Sequence, residues 1–440
     1  MNVVFVSLGC SKNLVDTEMC IGLFKKNEFE IVNDPKQAEI IVINTCGFIE
    51  PAKEEAINTI LEMAEYKESF KCRYLVVMGC LVKRYKKELI KAIPEVDLFV
   101  SVEEYENIWN LILEMIAKKE VNSKVKTSKN TLDYLDRIVT TGNKTAYLKI
   151  SEGCSNNCTY CAIPYIRGKH VSRKMEDILE EAKMLADKGI EEVIVIAQDT
   201  TKYGIDLYNE YKLPELLTKL SKIDGFKWIR FLYSYPESIT DELIKVVKEN
   251  DKICKYFDIP MQHFADGVLK RMNRKSNSVS IENTINKIRE EIPNVILRTT
   301  FIVGFPGETE EDFFELYEFV NRAKFEKLGA FKYSKEDGTP AARLKEQVHY
   351  KTKQVRYDRI MGLQKQIAKI KLEEKIGNTY EALVDSIEEN GKLIIARSYM
   401  DIPNEDGVIF INNTKNVNVG EFINVKITDI QGYDLIGELV

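Results

Sequence analysis

The chain has 440 residues, 44% hydrophobic and 30% charged, with a net charge of −6. That length exceeds one ordinary domain and predicts two or three, in a globular rather than a disordered or fibrous protein. No run of about 18 apolar residues appears, which argues against a membrane-spanning helix, and the mild acidity argues against a polyanion-binding chain taken as a whole. The N-terminus reads as a short strand, without the basic region or small-residue cleavage site of a secretory signal. The nine cysteines then argue for metal or catalytic use in a cytoplasmic protein rather than for disulfides.

Residues 1–118 contain three apolar runs, starting at Val3, Ile40 and Tyr74, that each end beside a Gly-Cys or Cys-Gly pair. Runs rich in Val and Ile, unbroken by polar residues, predict strands buried on both faces of a parallel sheet. Helical periodicity follows each, at 16–26, 53–66 and 83–92. Strand, loop and helix repeating in this way predict a doubly wound parallel-sheet domain. In such a sheet the loops after the strands share one edge, where ligands bind. Cys10, Cys46 and Cys80 hold the same place in three units, so their thiols should converge as a metal site. The bland alternative is three buried cysteines that fall at strand ends by chance. Cys20, Cys72 and Cys254 keep that bland reading.

Residues 119–139 are polar and aperiodic and read as a linker. Across 140–372, strand signals at 146–150, 192–197, 228–233, 256–259, 297–303 and 330–333 alternate with helical stretches at 175–188, 214–222, 241–249, 279–291 and 310–323. Six such units can curl into a partial (β/α)6 barrel, whose active face lies at the loops after the strands. Just after the first strand come Cys154, Cys158 and Cys161, spaced C-x3-C-x2-C. Three thiolates can hold three corners of a four-iron cluster and leave one iron open. Zinc is the competing reading, but a structural zinc site takes four ligands, and the nearest candidate for a fourth is His170. Thr309 before three acids is a helix N-cap candidate. Arg167, Arg173 and His263 could contact a ligand carboxylate, with surface ion pairs or satisfied polar groups the plainer reading.

From 376 to 440, five short strand signals separated by turn residues predict a small C-terminal antiparallel β-barrel like the OB-fold. This stretch carries eleven acidic against four basic residues, a net of −7, so the rest of the chain is close to neutral. An RNA-gripping domain should be basic, whereas an acidic one suits a basic protein partner.

Cys154, Cys158, Tyr160 and Cys161 together resemble the C-x3-C-x-aromatic-C signature of radical S-adenosylmethionine (SAM) enzymes. Two three-cysteine sites in this order, with a tail similar to the TRAM domain, make the whole chain resemble the methylthiotransferases. Within them, residues 7–18, 198–204, 232–236, 258–263 and 333–339 are most similar to the branch that modifies an aspartate of ribosomal protein uS12. The resemblance implies two [4Fe-4S] clusters, one on Cys154, Cys158 and Cys161 and one on Cys10, Cys46 and Cys80. It implies SAM as cofactor, with Tyr160, Gln198, Asp199, Gly304 and Gly307 as cofactor-binding candidates. Gln198 and Asp199 replace the Gly-Gly-Glu that holds the SAM amino group in many relatives. The implied division is a methylthiotransferase N-terminal domain at 1–118, a linker at 119–139, a radical SAM core at 140–372 and a TRAM domain at 376–440. The implied chemistry is abstraction of hydrogen from an unactivated β-carbon followed by sulfur and methyl transfer, with an electron donor such as flavodoxin or ferredoxin. Three alternatives stand beside it: a tRNA adenosine methylthiotransferase, against which the acidic tail argues; a cluster-carrying electron-transfer protein, which would fill all four ligand positions; and a zinc-stabilised binding module.

Overall fold

The structure is a computed structural model that describes residues 1–119, 132–142, 144–388, 391–412 and 417–440. The N-terminal unit is a sheet of five parallel strands: β1 (Asn2–Ser7), β2 (Glu30–Ile31), β3 (Ile40–Thr45), β4 (Tyr74–Gly79) and β5 (Leu98–Ser101). Their order is β2-β1-β3-β4-β5, so the connections reverse direction between β1 and β3 and open a crevice there. Every residue of β3 and β4 is buried, as their unbroken apolar runs require. Helices α1 (Ser11–Lys26), α2 (Glu50–Ser69), α3 (Cys80–Ala92) and α4 (Ile108–Lys119) cover the two faces, each over its own core. Helix α1 starts five residues before the predicted 16, because Ser-Lys-Asn carries no apolar periodicity to announce it. Strands β2 and β5 are too short to register as periodic runs.

The central unit has six parallel strands: β6 (Thr145–Lys149), then, beyond a small hairpin of β7 (Ser151–Glu152) and β8 (Val171–Ser172), β9 (Glu192–Ile196), β10 (Trp228–Phe231), β11 (Tyr256–Asp258), β12 (Ile296–Val303) and β13 (Lys327–Lys332). They form two three-stranded sheets, joined by a bridge between Ile229 and Ile253, so the six run consecutively as an open barrel. Around it lie α5 (Ile163–Arg167), α6 (Met175–Asp187), α7 (Ile205–Tyr208), α8 (Leu213–Leu220), α9 (Asp241–Glu249), α10 (Asp266–Arg271), α11 (Ser278–Glu291), α12 (Glu310–Ala323) and α13 (Tyr350–Glu373). Thr309 caps α12 by accepting a bond from the Asp312 N–H. Side chains alternate across each strand. Leu148, Val193, Val195, Ile229 and Phe231 face the helices. Tyr147, Ile194, Trp228 and Tyr256 face the other way and pack against the C-terminal unit.

That unit is a closed barrel of β14 (Thr379–Glu388), β15 (Leu393–Ser398), β16 (Ile409–Asn412), β17 (Phe422–Gln431) and β18 (Asp434–Leu439). It is not wholly antiparallel as expected: β16 and β18 pair in parallel, and this pairing closes it. Its docking is ionic at the centre. Fully buried Glu192 accepts from Arg230 at 2.6 Å, Arg397 at 2.8 Å and Thr145 at 2.8 Å. Arg230 continues to the carbonyls of Ser398 and Tyr399. Asp385, Asp401, Glu405 and Asp406 meet Arg397, Lys327 and Arg298.

Residues 120–131 of the predicted linker lie outside the described residues. Residues 132–139 are not a free connection but a packed strap. Arg137 is fully buried, 3.0 Å from Glu181, and Tyr134 lies under the Arg173 guanidinium at 3.5 Å.

Burial alone would raise the Glu192 carboxyl, but the guanidiniums of Arg397 and Arg230 bring it down to about 2. Its stabilisation is therefore complete above the usual carboxylate range and lost as pH falls from there towards about 2. Glu192→Gln should cost roughly 3–5 kcal/mol, since it leaves two buried guanidiniums without their anion. Urea unfolding at pH 7 and limited proteolysis of the C-terminal barrel between pH 7 and 3 check both effects, and the variant should lose the acid-sensitive step.

Candidate active site

Cys10 precedes α1, Cys46 follows β3 and Cys80 opens α3, with Cys10 and Cys46 on either side of the crevice. Glycines beside them let the three loops touch. Gly9 has φ +91°, and a Cβ there would stand 2.7 Å from the Cys46 Cβ. A Cβ on Gly47 would stand 2.7 Å from the Leu81 Cα. A larger residue at either place would pry the loops apart. The thiols are free, with Cys10 exposed, Cys46 half-buried and Cys80 buried. Burial pushes the Cys46 thiol up and the Cys80 thiol up to about 11, while the Arg167 guanidinium pulls both down.

The second triad lies in the loop between β7 and β8, whose two-residue pairing closes its root. Asn156 donates to Asp199 at 2.8 Å and stands 3.5 Å from the Cys154 sulfur. The Ile163 N–H points at the Cys161 sulfur at 3.4 Å, and the Tyr235 hydroxyl lies 3.8 Å from that of Cys158. Thr159 ties the loop to the Arg271 carbonyl at 2.8 Å. Burial pushes the Cys154 thiol up and the Cys161 thiol up to about 12. A metal must therefore displace protons here, and donors aimed at the sulfurs ease that exchange.

The other candidates fall into distinct places. Asp199 is fully buried, and Thr201 and Asn156 occupy its two oxygens, so it positions the cysteine loop. Gln198 donates to Glu152 at 2.7 Å, while its own carbonyl oxygen is buried with no protein partner among the described residues. Gly304 and Gly307 have positive φ, a backbone state that favours glycine whatever lies beside it. A Cβ on Gly304 would meet the Lys353 side chain at 2.3 Å, and one on Gly307 the Glu346 carboxylate at 2.7 Å. His170 has Nε2 on the Ser172 hydroxyl at 3.1 Å, and among the described residues it joins no group of three or more metal-ligating side chains. His263 is fully buried, its Nδ1 accepting from the Ala265 N–H.

Arg167 joins the two triads. It is buried, not part of a surface ion pair, and donates to Asn13 at 2.6 Å, Asp16 at 2.7 Å and Glu152 at 3.2 Å. The Asn13 carbonyl oxygen also stands 3.6 Å from the Cys80 sulfur. Lys149 is a second cation on Asp16 and Glu152. Burial would raise the Glu152 carboxyl, but Arg167 and Lys149 bring it down to about 2. Arg173 likewise pairs with buried Glu181 rather than with a surface acid. A connected polar chain thus runs from Cys80 through Arg167 and Glu152 to Gln198, and Cys80 packs directly on Ala162 and Ile166, just after Cys161. Sequence reasoning missed Asn13, Asp16, Glu152 and Asn156. One signal was present: a carboxylate, Asp16, four residues after Lys12 and just before the apolar part of α1.

A cavity of about 360 Å³ lies where the Cys46 loop meets the barrel. Phe48 and Ile49 line it from the Cys46 loop, Tyr160 from the second triad, and Thr300, Ile302 and Tyr333 from the barrel, so its wall is mostly apolar. Glu336 closes one side by pairing with Arg84 at 2.9 Å and Lys53 at 3.2 Å. Among the described residues, no three His, Cys, Asp or Glu side chains gather round a single ion. A four-iron cluster does not need that, because each thiolate takes a separate iron. Two sets of three free thiols fit such clusters, and the orphan Gln198 oxygen fits an ammonium donor such as the amino group of SAM.

Three family patterns match the chain: the uncharacterized protein family UPF0004 at residues 2–101, the Radical SAM superfamily at 148–320 and the TRAM domain at 376–440. The chain is similar from end to end to curated proteins named ribosomal protein uS12 methylthiotransferase RimO. That of Alkaliphilus oremlandii is 62% identical over 443 residues, covering 100% of this chain and 99% of that one. That of Acetivibrio thermocellus is 51% identical over 445 residues, covering 100% and 98%. That of Clostridioides difficile is 48% identical over 446 residues, covering 100% and 99%. Among solved structures, the radical SAM methyltransferase TsrM of Kitasatospora setae, with cobalamin and a [4Fe-4S] cluster bound, shares the fold. Its TM-score is 0.58 at 12% identity, over 77% of this chain and 73% of that one.

Arg167→Met should loosen the junction, because Asp16 and Glu152 each lose a buried cation, a loss of roughly 3–5 kcal/mol. In the metal-free chain the Cys80 thiol, no longer drawn down by that guanidinium, should then react more slowly with a thiol reagent at a given pH. Arg167→Lys should rescue this only in part, since one ammonium cannot reproduce the fork. Denaturation curves and peptide-mapped labelling rates check both expectations.

Proposed function

The chain belongs to the methylthiotransferase family of the RimO proteins that it matches from end to end, and on that footing we propose that it adds a methylthio group to the β-carbon of an aspartate of ribosomal protein uS12. The observation that carries the reading is a pair of three-thiol sites that meet across one buried junction, where Arg167 reaches Asn13 and Glu152 and Cys80 packs on Ala162 and Ile166 just after Cys161. In this reading Cys154, Cys158 and Cys161 hold one [4Fe-4S] cluster and Cys10, Cys46 and Cys80 the other. When bound, these clusters and SAM supply hydrogen abstraction, the sulfur atom and the methyl group.

The residues of the chain do the rest. Gln198, fixed by Glu152, offers its free oxygen to the SAM amino group. Asp199 and Asn156 set the cysteine loop. The mostly apolar wall of Phe48, Ile49, Tyr160 and Ile302 limits water where the Cys46 loop meets the barrel. Arg167 and Lys149 hold the two cysteine sites in fixed relation, which a transfer between them requires.

The division at 1–118, 119–139, 140–372 and 376–440 belongs to the same proposal, as do a flavodoxin- or ferredoxin-like electron donor and a cytoplasmic setting. Among the described residues, no helix is long and apolar enough to cross a membrane. The acidic C-terminal barrel favours a basic protein substrate over tRNA.

Reconstituted protein, SAM and reductant should give uS12 a mass gain of one methylthio group at a single aspartate and leave tRNA unchanged. Modification of tRNA adenosine with uS12 untouched would overturn the choice of substrate while leaving the chemistry standing.

A further inference from the structure

Lys12 is a buried cation without an anion. It is 7% exposed, and its ammonium lies 3.0 Å from the centre of the Tyr233 ring. Among the described residues it makes no ion pair and no side-chain hydrogen bond; the Cys10 thiol is the foremost group that draws its charge, and the three carboxylates near it have cations of their own. Asp258 and Glu405 pair with Arg298 at 3.2 and 2.6 Å. Glu152 pairs with Lys149 and Arg167 at 2.9 and 3.2 Å. Tyr233 itself is held at φ +64°, a backbone state disfavoured for a bulky residue. Helix α1 begins here with no capping bond from Cys10 and no acid in its first turn, so its positive end adds to the same field.

A cation in this state gains most from a carboxylate brought to it. We propose that Lys12 is the receptor for the side-chain carboxylate of the substrate aspartate, and so sets the specificity of the enzyme for an acidic residue. The proposal rests on the uS12 reading above. Its geometry follows from the chain: Lys12 is two residues from Cys10, the exposed member of its triad. The carboxyl carbon of an aspartate is one bond from its β-carbon, so a carboxylate gripped by Lys12 holds that β-carbon beside the Cys10 site.

The test is binding of cluster-loaded enzyme to uS12 carrying either the natural aspartate or asparagine at the target position, read by calorimetry without turnover. The wild type should prefer the aspartate form by about 10- to 100-fold, the range of a charged hydrogen bond. Lys12→Met should bring that ratio near one, and Lys12→Arg should keep most of it. Iron content and circular dichroism report whether each variant is intact, with Lys12→Gln as a second neutral variant. A Lys12→Met or Lys12→Gln enzyme that keeps the wild-type ratio overturns the proposal. So does one that loses iron from the first triad with the ratio intact, since Lys12 would then serve the cluster. A wild type that modifies uS12 but binds both forms alike overturns this assignment alone, whereas one that does not modify uS12 overturns both readings.

Discussion

The fork of Arg167 between Asn13, Asp16 and Glu152 is the contact on which the site depends. It joins the start of α1 to the loop of the second triad, elements about 150 residues apart, inside a buried junction. A buried guanidinium with two carboxylates and an amide is stable only when all partners are present. Docking of the N-terminal sheet on the barrel is therefore close to all-or-none, and the cavity that both units line exists only in the docked state. Lys149 repeats the arrangement on the same two acids.

The C-terminal barrel obeys the same logic from the other side. Its acidic composition reads at first as a surface for a basic partner. Four of its acids in fact face Arg397, Lys327 and Arg298 within the chain. The remaining exposed acids, among them Glu381, Glu388 and Glu421, are the ones free to meet a partner. One composition thus does two jobs, anchoring the barrel beneath the catalytic strands and repelling polyphosphate.

The first triad was legible in the sequence because its cysteines keep step with the strands, and the second because its three cysteines are spaced C-x3-C-x2-C within one loop. Cys10, Cys46 and Cys80 each end an apolar run, and Gly9, Gly47 and Gly79 beside them mark close-packed turns. The six barrel strands were legible for the same reason, as runs whose period and spacing local sequence records. The polar junction was not. Arg167 looks like any arginine near a loop, and nothing local ties it to Asp16, whose burial arises only when two units meet. The packing of 132–139 was not legible on similar grounds, since Arg137 pairs with Glu181 at 3.0 Å and Glu18 at 3.9 Å, both far along the chain. Gly304 and Gly307 were legible as turn glycines, and both have positive φ, with Lys353 and Glu346 packed beside them.

The central claim is that two separate three-thiol sites, each with its own cluster, meet across one buried junction. Iron counted per chain after anaerobic reconstitution tests it most directly, in the wild type and in variants with either triad changed to alanine. The account predicts about eight irons in the wild type and about four in each variant. About four irons in both the wild type and the Cys10, Cys46 and Cys80 variant would contradict it, because the N-terminal sheet would then hold no cluster and no sulfur to transfer.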